Sequence, residues 1–275
     1  MNDDAVIYYQ GDPGAFSEAC ILSHWPHAQP QGCETFAETF QAILEHSDGI
    51  GLLPIENAYR GPVYDVLDLL TASPLSIWAE AVQPVELALM AYGHSDLDRI
   101  KKVRSHPQAL MQSQAFCRQH GLSVEAALDT AGSARELLEL KREDIGAIAS
   151  PRAAEIYGLN IVCRGIQDHM DNRTRFWLLS RQPIALVSPL QRTKTSMVYD
   201  LPDRPGALVD YLLWYKKLGL NLSKVESRPR PGAPFAYRFW IDVVGERERV
   251  DQAWNGGLPS LEWGRRLGTY PVLSE

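Results

Sequence analysis

The sequence has no excess of basic residues. Of its 275 residues, 27 are lysine or arginine and 34 are aspartate or glutamate, and the formal net charge is −7. Nucleic acids and anionic membrane surfaces attract clustered positive charge. We therefore expect neither a nucleic acid nor a membrane as a partner, although a local basic pocket is compatible with this balance.

The sequence also has no long apolar run and few cysteines. No stretch is long and apolar enough to span a bilayer, and the residues after Met1 lack the basic-then-apolar pattern of a secretory signal. The cysteines are too scattered to suggest a metal site; they are Cys20, Cys33, Cys117 and Cys163. We therefore expect a cytoplasmic protein with reduced thiols and no bound metal.

What the sequence does contain is the composition of a soluble globular protein, with 45% hydrophobic and 22% charged residues. Its N-terminal part predicts a strand over residues 5–9, a turn from Gly11 to Gly14 and a helix over residues 15–25. Free backbone N–H groups at such a helix start favour an anion, and Ser17 adds a hydroxyl donor. A plain tight turn is the alternative.

Polar residues follow several predicted strands at the point where a helix begins. In open α/β sheets these positions surround the ligand, so together they favour a small anion such as a carboxylate. Turn formation and helix capping are the alternative roles. The residues are Glu56 and Asn57 after residues 50–55, Ser105, His106 and Gln108 after Val103, and Thr130 after residues 122–126.

Three helix starts are predicted from local signals. Gly61-Pro62 opens one helix, Ser105 or His106 caps a second over residues 109–120, and Thr130 or Ser133 caps a third over residues 132–140. In the second helix Gln108 and Gln112 are four positions apart, so they share one face.

A later stretch, residues 165–180, changes from polar to apolar. Asn172, Thr174 and Arg175 come just before residues 176–179, which predict a buried strand. Amide, hydroxyl and guanidinium groups at the mouth of a rigid element suit a site that holds and polarises a small polar ligand. A capped loop that enters a strand is the alternative.

The last third of the chain has a different pattern. Residues 182–192 contain two prolines and little periodicity, which predicts a linker. The segments beyond it follow the order βαββαβ of a ferredoxin-like unit. We therefore predict an α/β fold with two domains, residues 1–182 and 193–275. The predicted segments of the second are strand 196–201, helix 207–217, strands 221–226 and 237–244, helix 247–256 and strand 267–272.

These residues fall into motifs whose combination resembles one enzyme family. The motifs are residues 11–18, residues 54–57 (Pro-Ile-Glu-Asn), residues 105–112 (Ser-His-Pro-Gln-Ala-Leu-Met-Gln), and Asp168 and Asn172 with residues 174–176 (Thr-Arg-Phe). They are similar to motifs of the monofunctional prephenate dehydratases, and the resemblance covers nearly the whole chain. The tail, through residues 205–208 and 226–229, resembles an ACT regulatory domain.

Two positions depart from the family pattern. Ala58 stands where the family usually has serine, which removes one hydroxyl contact, and Ser113 stands where it usually has cysteine, a change expected to affect packing. Since no helical chorismate mutase segment precedes Met1, we expect the monofunctional form.

The resemblance implies a catalytic domain of two α/β subdomains in the periplasmic-binding-protein style, with the active site between them. One subdomain would comprise residues 1–76 and 161–182, and the other residues 77–160. The ferredoxin-like ACT domain would follow. A homodimer or homotetramer is also implied.

The implied reaction converts prephenate to phenylpyruvate, carbon dioxide and water in L-phenylalanine biosynthesis, without a cofactor or metal. The hydroxyl of Thr174 would donate a hydrogen bond that strengthens as charge develops on the leaving oxygen. Asn57 and Gln112 would donate further hydrogen bonds, and Glu56 and His106 are rival proton donors. The other expected substrate contacts are Glu56, Ser17, Ser105, Gln108, Thr130, Asn172, Arg175 and Phe176.

Arg175 has two possible roles. A tight salt bridge to the ring carboxylate would stabilise the ground state and oppose decarboxylation. Arg175 is therefore expected to bind the pyruvyl carboxylate or to hold the loop.

Two further functions are alternatives. A carboxylate near the amino group that distinguishes arogenate from prephenate would favour an arogenate dehydratase, and Glu56 could supply one, but the sequence does not place it. A catalytically silent amino-acid sensor would join a binding cleft to an ACT domain. The presence of Thr174, Asn57 and Gln112 argues against the sensor.

The ACT resemblance implies that L-phenylalanine binds between two tails and inhibits the distant active site. The turn before helix 207–217 offers free N–H groups to the amino acid's carboxylate. The alternative is a purely structural role, in which these segments are only turns of a ferredoxin-like unit. The residues implied are Gly206, Ala207, Leu208, Asn221, Leu222, Glu226, Ser227, Arg228 and Pro229.

Overall fold

The structure is a computed structural model that describes residues 4–93, 96–184, 193–230, 232–255 and 261–273. Its strands form three sheets, two in the N-terminal two-thirds of the chain and one in the tail. Most of the predicted linker, residues 185–192, lies outside the described residues.

The first sheet has six strands in the order β2-β1-β3-β11-β5, with β4 beside β3. Both described partners of β1 run parallel to it. The strands are β1 (Val6–Gln10), β2 (Gln29–Cys33), β3 (Ile50–Asn57), β4 (Gly61–Pro62), β5 (Ser76–Pro84) and β11 (Arg173–Ser180). The helices between them are α1 (Phe16–His24), α2 (Phe36–Glu45) and α3 (Tyr64–Ala72).

The second sheet has five strands in the order β10-β6-β9-β7-β8. They are β6 (Ala88–Ala91), β7 (Lys102–Ser105), β8 (Ser123–Ala126), β9 (Ile145–Ala149) and β10 (Asn160–Arg164). Its helices are α4 (Pro107–Gln112), α5 (Gln114–Gln119), α6 (Thr130–Leu140) and α7 (Pro151–Tyr157), and a 3-10 turn covers Leu97–Arg99.

The third sheet is antiparallel, in the order β13-β14-β12-β15. Its elements are β12 (Thr193–Asp200), α8 (Ala207–Lys217), β13 (Asn221–Pro229), β14 (Tyr237–Val244), α9 (Arg247–Asn255) and β15 (Trp263–Pro271). The predicted βαββαβ order is therefore confirmed, and so is the mixed α/β fold class.

The chain divides into two compact units. Within the described residues, the first unit comprises residues 4–69 and 81–176, and the second comprises residues 70–80 and 177–273. The first unit carries the second sheet and most of the first. The second unit joins the ferredoxin-like sheet to the end of α3 and the start of β5. The predicted domain boundaries stay predictions.

In the second unit, residues 70–80 are joined to the ferredoxin-like strands by partly buried hydrogen bonds. The guanidinium of Arg265 on β15 donates to the carbonyl oxygens of Leu70, at 3.2 Å, and of Ser73 and Leu75. These carbonyls lie at and just after the end of α3, where helical carbonyls lack intrahelical partners. Burial lowers the pKa of Arg265.

A buried ion pair lies in the same unit. Lys194 Nζ on β12 lies 2.5 Å from Glu80 Oε1 on β5, and the Glu80 side chain is only 1% exposed. The indole N–H of Trp177 points toward the second carboxylate oxygen at 3.4 Å. Trp177 also packs against Trp240 and Tyr270.

Several local expectations were wrong. Gly61-Pro62 forms the short strand β4, and the helix begins at Tyr64. The predicted helix 109–120 is broken at Ser113, whose hydroxyl donates to the carbonyl oxygen of Ala109 at 2.8 Å. Asp129 caps α6 in place of Thr130 or Ser133, by accepting from Gly132 N at 2.6 Å.

No helix of the described residues has the length and apolar character needed to cross a membrane.

Candidate active site

A cavity of about 520 Å³ lies in the first unit, where strand ends from both of its sheets meet the starts of several helices. Its size suits a small organic ligand. Seven predicted site residues line it: Ser17, Asn57, Gln108, Gln112, Thr130, Thr174 and Phe176. The other lining residues are Gln10, Gly11, Ala15, Phe16, Thr35, Phe36, Pro54, Val63, Val85, Leu87, His106, Ala109, Leu128 and Asp129.

Thr174 and Asn57 form the polar centre of this cavity. They lie 117 positions apart in sequence and meet because β11 is the neighbour of β3. Asn57 Nδ2 donates to Thr174 Oγ1 at 3.0 Å. The same nitrogen lies within donating distance of Asn172 Oδ1, at 2.9 Å, and of the Arg173 carbonyl oxygen, at 3.2 Å.

These contacts change the expected role of Asn57. We expected its amide to donate directly to a substrate, but three protein oxygens already surround its two amide hydrogens. The opposite end of the side chain is equally fixed, because Asn57 Oδ1 accepts from the backbone N–H groups of Tyr59, at 3.1 Å, and Arg60, at 3.2 Å. The amide orientation therefore follows from its partners.

Gln112 differs from Asn57 because part of its amide is unused. The residue is 8% exposed, and its Nε2 atom has no hydrogen-bond partner in the described part of the chain. Since buried polar groups are nearly always paired, an orphaned donor on a cavity wall indicates a ligand acceptor. The backbone of Gln112 is held by Asp168, whose N–H donates to the Gln112 carbonyl oxygen at 2.6 Å.

The starts of three longer helices also face the cavity. α1 contributes Phe16 and Ser17, α2 contributes Phe36, and α6 contributes Thr130. Helix starts present free N–H groups and a partial positive charge, which stabilise anions. Among the lining residues that the structure describes, none is lysine or arginine. An anionic ligand would therefore meet hydrogen-bond donors and helix dipoles on these walls.

His106 is held as a neutral imidazole. Its Nδ1 caps α4 by accepting from Gln108 N at 3.2 Å. Burial is the main cause of its lowered pKa, which Asp129 partly offsets. A neutral ring whose Nδ1 accepts carries its hydrogen on Nε2. His106 is thus a possible hydrogen-bond donor and a poor source of a free proton at neutral pH.

Four predicted substrate contacts are not brought to the cavity wall. Ser105 is fully buried, and its hydroxyl donates to the Ile148 carbonyl oxygen at 2.5 Å, so it serves the second sheet. Asn172 accepts from Asn57. Arg175 and Glu56 form a salt bridge of 2.5 Å, which supports the loop-holding role of Arg175. That bridge also gives the Glu56 carboxylate a cationic partner.

Sequence reasoning missed part of the lining. Gln10 ends β1, directly before the predicted turn at Gly11, and Thr35 caps α2 by accepting from Glu38 N at 3.1 Å. Both positions have a signal in the sequence. Asp129, which lies just before a predicted helix, was not predicted to line a site. The apolar walls, such as Val85 and Leu87, carried no local signal, since an apolar residue at a strand end has the same pattern in a core.

The residues predicted to bind L-phenylalanine lie on two elements of the second unit. Gly206 precedes α8 with φ +83, in the left-handed region that favours glycine, and Ala207 and Leu208 begin the helix. Asn221, Leu222 and residues 226–229 all lie on β13, which is an edge strand of the described sheet.

No group of three or more His, Cys, Asp or Glu side chains could hold a metal ion within the ranges that the structure describes. The expectation that no cofactor is needed stays a prediction.

Hydrogen-bond donors and one carboxylate, that of Asp129, line a cavity at the strand ends of two α/β sheets, and a ferredoxin-like unit follows; this arrangement suits an enzyme that acts on a small polar molecule. The sequence matches the prephenate dehydratase family over residues 7–184, and the chain belongs to that family.

Relatives of known name support this assignment. Arogenate dehydratase/prephenate dehydratase 2 of Arabidopsis thaliana is 37% identical over 97% of this chain and 72% of its own length. The bifunctional N-acyl-homoserine lactone acylase/prephenate dehydratase of Komagataeibacter europaeus is 34% identical over 99% of this chain and 98% of its own.

A solved structure shares the fold over nearly the whole chain. Prephenate dehydratase from Arthrobacter aurescens, in complex with L-Phe, superposes with a TM-score of 0.86 at 31% identity. The match covers 98% of this chain and 93% of that one, so it includes the ferredoxin-like unit.

Proposed function

We propose that this chain is a prephenate dehydratase that converts prephenate to phenylpyruvate in L-phenylalanine biosynthesis. The bond from the ring to its carboxylate breaks and releases carbon dioxide. Its electron pair enters the ring, and the C4 hydroxyl leaves and takes a proton to become water. Because the ring becomes aromatic, the protein needs only to hold the diacid and assist departure of the hydroxyl.

The observation that carries the proposal is the pair of donors in the cavity. They are the Thr174 hydroxyl and Nε2 of Gln112, which has no hydrogen-bond partner among the residues that the structure describes. A hydroxyl is too weak an acid to release a proton early. It can donate a hydrogen bond that strengthens as charge develops on the leaving oxygen, and such differential stabilisation is what accelerates a reaction.

The charge of the walls supports the same reaction. A cation held tightly against the ring carboxylate would stabilise the substrate and oppose loss of carbon dioxide. Donors from Ser17 and the starts of α1, α2 and α6 can hold the pyruvyl carboxylate without such a cation.

The test is to incubate the pure protein with prephenate, without added metal or cofactor, and to measure phenylpyruvate by its absorbance in alkali. Thr174→Ala should lower kcat by roughly a hundredfold or more with little change in KM, the scale of one oxyanion-type donor. Thr174→Ser, which keeps a hydroxyl, is the matched control and should retain most of the activity. Absence of product from the wild-type protein would refute the proposal.

Arogenate dehydratase is the second candidate, because a carboxylate lies on the cavity wall. Asp129 could face an ammonium group, whereas Glu56 is engaged by Arg175. Comparing kcat/KM for the two substrates in the wild type and in Asp129→Asn decides between them. A wild-type preference for arogenate that Asp129→Asn abolishes would support the second candidate. A preference for prephenate in both proteins supports the first.

We also propose that L-phenylalanine inhibits the enzyme from the second unit. The turn at Gly206 and the start of α8 suit a carboxylate. We assign the amino group of the same ligand to Glu226, which lies on β13. Binding between two copies would require a homodimer or homotetramer. The free edge of the described β13 and the exposed side chains of Val209, Leu213 and Val225 support such an assembly. A cytoplasmic location is proposed with it.

Phenylalanine titration of the full-length protein tests this regulation. Gly206→Val and Ser227→Ala should weaken both binding and inhibition. Gly232→Val is a matched control, because Gly232 also has positive φ and open space around its Cβ position but lies outside the predicted ligand residues. Equal weakening in Gly232→Val would trace the effect to general backbone strain. Inhibition that survives both test variants would place the effector elsewhere.

A further inference from the structure

We propose that Asn57 is a positioning residue that sets the hydrogen-bond direction of Thr174, so that the threonine proton is available only to the cavity. This inference rests on the proposed dehydratase function and goes beyond it. It replaces a direct contact between Asn57 and the substrate with an effect through a second side chain.

The first step is the orientation of the Asn57 amide. Its Oδ1 accepts from two backbone N–H groups, at 3.1 and 3.2 Å, and its Nδ2 faces the oxygens of Asn172 and Arg173. A flipped amide would place a donor against two donors and an acceptor against two acceptors. Since each buried mismatch costs about 1–3 kcal/mol, the flipped form is excluded by its neighbours.

The second step follows for Thr174. Because the group that faces its Oγ1 at 3.0 Å is an N–H donor, the hydroxyl oxygen must accept there. A hydroxyl has one proton and two lone pairs. Its proton therefore points away from Asn57, and the accepted bond polarises the O–H group. The result is a donor preset for an oxygen that gains charge.

The surrounding loop keeps this arrangement rigid. Ala58 N donates to the Arg173 carbonyl oxygen at 2.9 Å, next to Thr174 in the chain. Tyr59 stacks on His169 with ring centroids 4.0 Å apart, and its hydroxyl donates to the Asp171 carboxylate. The loop after β3 is thus fastened to the start of β11 and to the loop that precedes it.

Asn57→Asp is the discriminating variant. It has nearly the same shape and still accepts from Tyr59 and Arg60, but it presents an acceptor to Thr174 and turns the threonine proton toward itself. We expect kcat for prephenate to fall roughly a hundredfold, as for Thr174→Ala, with KM changed by less than about threefold. The double variant Asn57→Asp/Thr174→Ala should be no slower than either single variant, because each substitution removes the same hydrogen bond from Thr174 to the substrate.

The pH profile gives a readout that a merely structural role would not move. Protonation of the new carboxyl group restores a donor, so the activity of Asn57→Asp should rise as the pH falls. The activity of Thr174→Ala should show no such recovery. Asn172→Asp adds a charge in the same network but keeps the acceptor for Asn57 Nδ2, so its loss should be much smaller.

Circular dichroism and thermal unfolding check that each variant is folded. If Asn57→Asp does not fold, Asn57→Ala removes the donor without adding charge and should still lower kcat with little change in KM. Folded variants with kcat within about threefold of the wild type, or single losses that add in the double variant, would overturn the inference. Failure of the wild type to turn over prephenate would instead refute the proposed function.

Discussion

The ion pair between Lys194 and Glu80 gives a stability prediction whose size follows from the unequal burial of its two members. Lys194→Met keeps the length of the side chain. It removes the ammonium group that lies 2.5 Å from the Glu80 carboxylate, which is 1% exposed. Removing one member of a buried pair costs about 3–5 kcal/mol, because the remaining buried charge loses its counterion.

The converse change should cost less. Lys194 is 17% exposed, so its ammonium group can turn toward water when Glu80→Gln removes the carboxylate. Since a lost hydrogen bond to a charged group costs about 1.5–3 kcal/mol, we expect Glu80→Gln near the lower end of that range. Combining the two changes should recover most of the loss of Lys194→Met, because neither charge of the pair remains.

Equilibrium unfolding in denaturant, followed by tryptophan fluorescence, measures these differences. Trp177 and Trp240 pack together in the second unit, with ring centroids 6.4 Å apart, and report on its unfolding. Equal destabilisation by Lys194→Met and Glu80→Gln would refute the argument from unequal burial. It would mean that the Trp177 indole and nearby groups stabilise the carboxylate without the lysine.

Four other variants test the site. Gln112→Leu should lower kcat/KM by about tenfold or more, since a hydrogen bond to a charged group contributes about 1.5–3 kcal/mol, yet leave the free energy of unfolding unchanged or higher. Arg175→Met and Glu56→Gln should cause similar losses of kcat if Arg175 acts by holding Glu56; a rise in KM confined to Arg175→Met would assign it to the substrate. His106→Gln should make stability fall less steeply below about pH 6.5 than in the wild type. The pKa of His106 is lower in the folded protein than in the unfolded chain, so the unfolded chain binds more protons in acid and is favoured as the pH falls. Removing His106 removes this contribution.

Elements with strong periodicity were predicted with accurate bounds. The helix 207–217 and the strand 237–244 have the limits expected from their sequences. By contrast, β2 went unnoticed, because Gln-Pro-Gln-Gly-Cys contains few residues that favour strands. Its conformation comes from pairing with β1, and proline is tolerated because β2 is an edge strand.

In the site, too, sequence motifs identify single residues but not the contacts between them. Local motifs named Thr174, Asn57 and Gln112 individually, but the contact between Asn57 and Thr174 depends on β3 and β11 being neighbours in the sheet. Ser105 illustrates the opposite error. Ser105 ends a strand, as an active-site residue often does. However, β7 lies between β9 and β8, and the Ser105 hydroxyl donates to the Ile148 carbonyl oxygen within that sheet.

The attachment of residues 70–80 to the ferredoxin-like strands limits how such chains can be recombined. In a chimaera with its crossover at residues 185–192, one parent would supply Arg265 and Lys194. The other parent would supply their partners, which are the carbonyl oxygens of Leu70, Ser73 and Leu75 and the carboxylate of Glu80. Compatible parents must therefore share residues 70–80 as well as the tail. The segment that must be exchanged as a whole is therefore discontinuous in sequence, and the predicted linker alone is not a sufficient crossover point.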